Sequence, residues 1–567
     1  MATIVVRYDR LPVHRERPSL TAVSHQRLML LLLMMVSISL IVVLRLIWMG
    51  VAADGHSPLD FGATGAPPRA DIVDRNGVPL ARTMDGYSVS VRPDRLIGDP
   101  DELARKLHEI FPDTSIDEFH AKLTGKGWAY LRQRALPEQV AQVNALGEVG
   151  IEFPREKERL YPQRTLAAHV LGFAPFTNDD GVHSGGMGVE AAFNERLTDA
   201  ATRGRPLMLS IDSRVQGALE SELYTGMMDQ RAHGATGVVL DTNTGEVIAM
   251  ASFPVFDPNK LQGDPRPRRN DAVQSRFELG STFKPLAVAA AMDAGVVTSM
   301  SKRYDATAPV QVGRFRIKDD HSLGRWINVP ETLIHSSNIV TARIADEMGA
   351  APLQKLYRAL EFDRRPSIEL KERAWPLWPQ NWGRITTMTT AYGHGIAVTP
   401  LHLASAYAAL VNGGIWRPAT LVRLREEEVP RGRRVFTAAT SARMRQLLRM
   451  IVMDGTGRNA DAPGYRIGGK TGTAEKPMAG GYAHRANITT FAAAFPMDNP
   501  RYVVVSMMDE PQGSSQFPGV RTAAYTAAPV VKKVVMRIGP MLGVMPDERR
   551  EVDLSELMPL IARDDGE

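Results

Sequence analysis

Ser281-Thr282-Phe283-Lys284 sets a hydroxyl and an amine three residues apart. On a helix such a pair shares one face, with Cβ atoms about 5–6 Å apart. A neutral lysine there can take the proton of a serine nucleophile. The apolar, alanine-rich run from Phe283 to Met292 predicts that helix, closed by a cap at Gly295. Its N-terminus would bring partial positive charge and free N–H groups to a developing oxyanion. Ser-x-x-Lys alone is a weak signal, expected by chance roughly 0.6 times in such a chain. A second copy, Ser299-Met300-Ser301-Lys302, follows the helix and is read as coincidence.

Two further elements narrow the chemistry. Ser336-Ser337-Asn338 lies in a run from Glu331 to Met348 that reads as helix. There a serine and an asparagine one residue apart can turn a hydroxyl and an amide into one cleft. Lys470-Thr471-Gly472-Thr473 lies in a β-prone segment. The glycine would let substrate approach the backbone, and the lysine and threonines can hold a carboxylate. Lys-Thr-Gly alone is expected well under ~0.1 times by chance, so the three motifs in this order are specific.

The elements that must position these residues are legible in outline. Thr236–Leu240 and Glu246–Ser252 are β-prone runs around Asp241-Thr-Asn-Thr-Gly245, a hairpin signal. Ile488–Phe495 and Tyr502–Met508 flank Met-Asp-Asn-Pro and read as neighbouring antiparallel strands. Sheet with packed helices predicts an α+β domain beginning near Pro206. Before it, Arg69 to about Gly204 holds a turn signal at Asn76-Gly77 and helical spacing from Leu103 to Phe111, with no constellation of its own. The charged residues from Asp547 to Glu567 read as peripheral.

The chain has 567 residues, enough for several domains, with 44% hydrophobic and 23% charged residues. It contains no cysteine, which excludes thiol catalysis and disulfides. The net charge of +5 spreads over 68 basic and 63 acidic residues with no basic block, so nucleic-acid binding is set aside. Leu28 to Met49 is an apolar run broken only by Ser37, Ser39 and Arg45, long enough as a helix to span a bilayer. Arg45 near its end can snorkel beside Trp48. Arg7, Arg10, Arg15, Arg17 and Arg27 precede the run, and Gly50–Pro68 carries no lysine or arginine before Arg69. The positive-inside rule then keeps the N-terminus cytoplasmic. A signal peptide cleaved near Gly50-Val51-Ala52 competes, but the run exceeds the ~7–15 residues of a signal core.

Ser-x-x-Lys, Ser-x-Asn and Lys-Thr-Gly together resemble the penicillin-binding proteins. Ser-Ser-Asn, in place of Ser-Asp-Asn, is similar to the high-molecular-mass class, and no Glu-x-x-Leu-Asn segment supplies a β-lactamase glutamate. Arg69-Ala-Asp-Ile-Val-Asp-Arg-Asn-Gly77, Arg159-Leu-Tyr-Pro162, His169-Val-Leu-Gly172 and Gly188-Val-Glu190 resemble the class B non-catalytic domain. Tyr392-Gly-His-Gly-Ile-Ala-Val-Thr-Pro-Leu401 and Asn412-Gly-Gly414 resemble the transpeptidase domain of the division-specific, penicillin-binding protein 3 type.

The resemblance implies a cytoplasmic tail at 1–27, a transmembrane helix at 28–49 and a linker at 50–68. It places an elongated non-catalytic (pedestal) domain at 69–205, a transpeptidase domain with a central antiparallel sheet at 206–545, and a tail at 546–567. It implies a serine D,D-transpeptidase of the cell inner membrane, with its catalytic domain in the periplasm, that cross-links peptidoglycan stem peptides at the septum and is inhibited by β-lactams. Ser281 would attack the D-alanyl-D-alanine donor, with Lys284 as base. Ser336 and Asn338 would relay the proton and position the donor. Lys470, Thr471 and Thr473 would hold the terminal carboxylate beside Gly472, and Lys470 would suppress the charge on Lys284. An amine acceptor would resolve the acyl-enzyme without metal or organic cofactor. A polytopic glycan polymerase and other division proteins would be its partners. An elongation-specific transpeptidase and a D-alanyl-D-alanine carboxypeptidase share the motifs.

Overall fold

The computed structural model describes residues 20–52, 69–177, 182–183, 185–261, 263–478 and 481–561. Residues 1–66 and 67–567 are separate units. The first holds helix α1 (Leu20–Ala52). Within it Arg27–Arg45 has a mean hydropathy of 2.7, and it is the one helix among the described residues long and apolar enough to cross a membrane. Side chains from Leu28 to Leu44 are all exposed. The helix begins eight residues before the apolar run because Leu20–Arg27 contains no glycine or proline to stop it. The arginines before residue 20, the Trp48 side chain and most of the linker lie outside the described residues.

The second unit opens with a six-stranded sheet. Its strands are β1 (Ile72–Val73), β2 (Pro79–Val91), β3 (Ala129–Ala135), β4 (Ile151–Glu152), β5 (Arg155–Leu160) and β6 (Leu207–Met208). The order is β3-β2-β1-β6, with β4 and β5 also pairing with β2. The Asn76-Gly77 turn forms as expected. Gly77 sits at φ +84°, and the Asp74 carboxylate accepts from the backbone of Asn76 and Val78. The apolar spacing near Leu103 becomes helix α2 (Pro100–Ile110), capped by Asp99. With α3 (Ile116–Leu123) it buries Leu103, Leu107 and Phe119 against Leu131 of β3.

Three stretches singled out in the sequence meet in this region. Glu190, fully buried, accepts from Arg69 Nε and Arg159 Nε at 2.7 Å each and from the Tyr161 hydroxyl at 3.1 Å. Two buried guanidiniums thus share one carboxylate.

The central sheet contains β7 (Gly234–Asp241), β8 (Val247–Phe253), β9 (Gly468–Met478), β10 (Gly481–Phe495) and β11 (Tyr502–Asp509). Its order is β8-β7-β11-β10-β9, antiparallel throughout. Strand alternation sends Val238 and Leu240 into one core and Val239 into another. Helices α4 (Ser213–Asp229) and α11 (Ala527–Met541) cover the Val239 face. Across the other face lie α5 (Lys284–Asp293), α6 (Val329–Ile334), α7 (Asn338–Met348), α9 (Pro400–Val411) and α10 (Ala438–Asp454), and α8 (Arg384–Thr390) packs on α7 through Met388. This is the expected α+β architecture.

The C-terminal segment is not peripheral. Leu554 and Leu557 are buried in the main core, and Glu551 pairs with Arg449 at 2.6 Å. Asn328, the N-cap of α6, donates to the Leu560 carbonyl at 2.5 Å. The charges of the segment hid these leucines. Residues 562–567 lie outside the described residues.

Candidate active site

Ser281 sits in a single 3-10 turn, Gly280–Phe283, that runs directly into α5. The turn is held from behind. Phe283 packs edge-on against Tyr357 at 5.6 Å, and the Tyr407 hydroxyl donates to the Thr282 carbonyl at 2.8 Å. The Ser281 side chain stays half-buried at the surface of this support.

Lys284, the first residue of α5, is fully buried. Its Nζ donates to the Ser336 carbonyl and to the Ser336 hydroxyl, the latter at 3.1 Å. Burial pushes the Lys284 ammonium down to about 7, opposed by the charges of Asp319 and Asp320. A lysine so placed is partly a free amine near neutral pH, which a general base requires.

The run from Glu331 to Met348 is not one helix. It breaks between α6 and α7, and Ser336 stands in the break at φ +60°. A non-glycine residue there costs about 1–2 kcal/mol and needs surrounding contacts to hold it. Those contacts are visible. Ser337 caps α7 through Val340 N and donates to Asp319, which also accepts from Ile339 N. The break lifts the Ser336 hydroxyl to Lys284, where a continuous helix would carry it elsewhere. Asn338 opens α7, and its amide donates to the Lys318 carbonyl at 3.0 Å.

Lys470 lies on edge strand β9 and is fully buried. Its Nζ donates to the Thr471 carbonyl and hydroxyl at 3.1 and 3.2 Å. Its ammonium is held well below the usual lysine range, by burial first and by Lys284 second. Burial is thus the main cause of the lowered Lys284 ammonium, and the two lysines lie near enough to disfavour each other's charge. The Thr471 hydroxyl donates to that of Thr456 at 2.8 Å, and the Thr473 hydroxyl accepts from Ala523 N at 3.1 Å.

Gly472 has a packing role in the structure. A Cβ there would lie 2.3 Å from the Leu279 carbonyl oxygen and 2.8 Å from Thr282 Cγ2. The missing side chain lets β9 close on the turn that carries Ser281. On the same side a Cβ on Gly280 would lie 3.0 Å from the Thr473 carbonyl.

The fold thus brings the Ser281 turn, Lys284, Ser336 and Lys470 together, while the Asn338 amide turns to the Lys318 carbonyl. It leaves out the second copy, since Lys302 pairs with Glu347 at 2.6 Å, which raises its ammonium and keeps it charged. Sequence reasoning missed Asp319, Asp320, Thr456 and Glu278, which come from loops and turns without periodic spacing, and gave His394 no role within the Tyr392–Leu401 stretch. Among the described residues no cluster of histidine, cysteine and acidic side chains could hold a metal ion.

Residues 235–535 match the penicillin binding protein transpeptidase domain, and residues 64–201 match the penicillin-binding protein dimerisation domain. A probable peptidoglycan D,D-transpeptidase FtsI of Caulobacter vibrioides is 38% identical, covering 85% of this chain and 82% of that protein. The peptidoglycan D,D-transpeptidase FtsI of Escherichia coli K12 is 29% identical, covering 86% of each. The crystal structure of penicillin-binding protein 3 from Mycobacterium tuberculosis, complexed with aztreonam, superimposes with a TM-score of 0.65. It is 25% identical, covering 85% of this chain and 98% of that one. With both domains matched in order around the gathered motifs, the chain belongs to the penicillin-binding transpeptidase family.

Proposed function

We propose that this protein is a membrane-anchored serine D,D-transpeptidase that cross-links peptidoglycan stem peptides at the division septum and is acylated by β-lactams. The observation that carries the reading is the buried Lys284 amine, within hydrogen-bond reach of Ser336 one turn after Ser281. The names of the FtsI relatives support the substrate and the septal role, and the aztreonam bound to the structural neighbour supports the inhibitor class.

In this reading Lys284 takes the Ser281 proton while the serine oxygen attacks the carbonyl between the two terminal D-alanines. A tetrahedral oxyanion forms between the backbone N–H groups of Ser281 and Thr473. Its collapse breaks the peptide bond, and the departing D-alanine amine receives the proton through Ser336. Lys470, Thr471 and Thr473 hold the terminal carboxylate, and Asn338 positions the donor. An amine from a second stem then attacks the ester, forms the cross-link and returns the proton to Ser281.

The proposed domains are a cytoplasmic tail to residue 27, an anchor at 28–49, a linker to 68, a pedestal at 69–205, a transpeptidase domain at 206–545 and a closing segment to 567. The arginines before the anchor support an inner-membrane protein with its N-terminus inside. A polytopic glycan polymerase is the proposed partner, since the lipid-linked substrate reaches the same membrane face.

The test is labelling with fluorescent penicillin followed over hours. A stable one-to-one adduct, mapped to Ser281 and absent in a folded Ser281→Ala, is expected. Rapid loss of label would mean a hydrolase, and no label on folded protein would overturn the reading.

A further inference from the structure

The Tyr392–Gly395 turn has no part in the chemistry described so far, yet it lies directly against the nucleophile's backbone. A Cβ on Gly393, at φ +81°, would fall 2.2 Å from the Gly280 carbonyl oxygen and 2.8 Å from Gly280 N. Gly280 itself sits at φ +53° and immediately precedes Ser281. The two backbones touch because Gly393 carries no side chain. A second contact fixes the same pair of segments. Glu278, three residues before Ser281 and buried, accepts from Gly395 N at 3.1 Å. Phe277 and Val398 exchange backbone hydrogen bonds at 2.9 and 3.0 Å and tie the segments once more.

His394 lies within the turn, near enough to Lys284 to feel its charge. Its ring is 5.3 Å from Tyr392 on its own turn. From other elements it feels Glu278 before the 3-10 turn, Lys284 on α5 and Asp320 on the loop before α6. Burial favours its neutral form and the Glu278 charge opposes that.

We propose that Glu278 is a positioning residue, whose carboxylate clamps the Tyr392–Gly395 turn onto Gly280 and so fixes the Ser281 hydroxyl and N–H toward the cleft. The clamp works by its hydrogen bond to Gly395 N; its charge acts separately, on His394. A displacement of about 1 Å at a reacting group can cost ~100-fold in rate. The proposal rests on Ser281 being the acylated serine.

The test compares Glu278→Gln, Glu278→Ala and Gly393→Ala in the full chain, by stopped-flow acylation with fluorescent penicillin and adduct mapping on each. Glu278→Gln keeps an oxygen facing Gly395 N, so its acylation rate constant should stay within about threefold of the parent at pH 8. Its loss of charge should move the His394 titration, followed by NMR, to lower pH. Glu278→Ala should lose at least about tenfold, in the acylation step and not in the preceding binding, with Gly393→Ala showing the same pattern. Equal impairment of the glutamine and alanine variants would overturn the clamp, as would parental rates in Glu278→Ala. If Glu278→Ala fails to fold, Glu278→Met, which fills the space without accepting from Gly395 N, decides instead: a loss of at least about tenfold supports the clamp and a parental rate overturns it. Label mapped away from Ser281 in the parent would instead overturn the functional reading beneath it.

Discussion

Lys284 Nζ and the Ser336 hydroxyl stand 3.1 Å apart although 52 residues separate them in sequence. The contact exists because α5 buries the lysine at its first residue while the chain breaks at Ser336 to meet it. A charged ammonium in that position would be costly, and burial answers by favouring the free amine.

That burial sets a pH dependence. Lys284 is pushed down to about 7, so below that value the protonated, inactive form dominates. The acylation rate should climb about tenfold per pH unit from pH 5 toward 7 and level off above about pH 8. Asp320 favours the ammonium, so Asp320→Asn should move the rising limb to lower pH. Stopped-flow acylation across pH 5–9 reads both, and a flat profile would remove Lys284 as the base.

Gly472→Ala should separate β9 from the nucleophile turn. Its new methyl would overlap the Leu279 carbonyl, backbone that cannot rotate away. We expect acylation to fall by about 100-fold, with a lower melting temperature. Parental kinetics in this variant would show that the strand and turn can separate freely.

Glu190→Ala leaves Arg69 and Arg159 buried without their shared carboxylate. Breaking one side of a buried ion pair costs about 3–5 kcal/mol. Urea unfolding should register that loss, while the fraction still folded should label with penicillin as the parent does. A shift under about 1 kcal/mol would contradict the network's structural role.

Leu554→Ala and Leu557→Ala test the closing segment. Each removes a leucine buried in the main core, a change worth about 2–5 kcal/mol. Thermal unfolding should drop for both. No change would mean that the segment only rests on the surface.

The sequence reveals the candidate catalytic groups more fully than the geometry that seats them. Ser281, Lys284, Ser336, Asn338 and Lys470 are legible because their chemistry demands particular residue types at short spacings. The hairpin at Asp241–Gly245 and the Ile488–Phe495 strand are legible from alternation and turn residues, since each forms with its sequence neighbour. The break at Ser336 is not, because Glu331 to Met348 keeps helical periodicity across it, and the left-handed residue is a serine rather than a glycine. Nor is the role of Gly472, since its contact at Leu279 is far away in sequence. Asp319 and Glu278 act through backbone N–H groups that only tertiary packing brings near.

The central sheet also dictates an order of assembly. Strand β7 pairs on one side with β8, which follows at once, but on the other with β11, where Val238 meets Val505. Until the chain has been made through Asp509, the early hairpin keeps an open, apolar edge. Such distant pairing folds slowly. A chain delivered N-terminus first must therefore wait, with that edge exposed, for nearly its whole length to arrive. Nascent forms of this protein should depend on holding factors at the membrane surface far more than its finished stability would suggest.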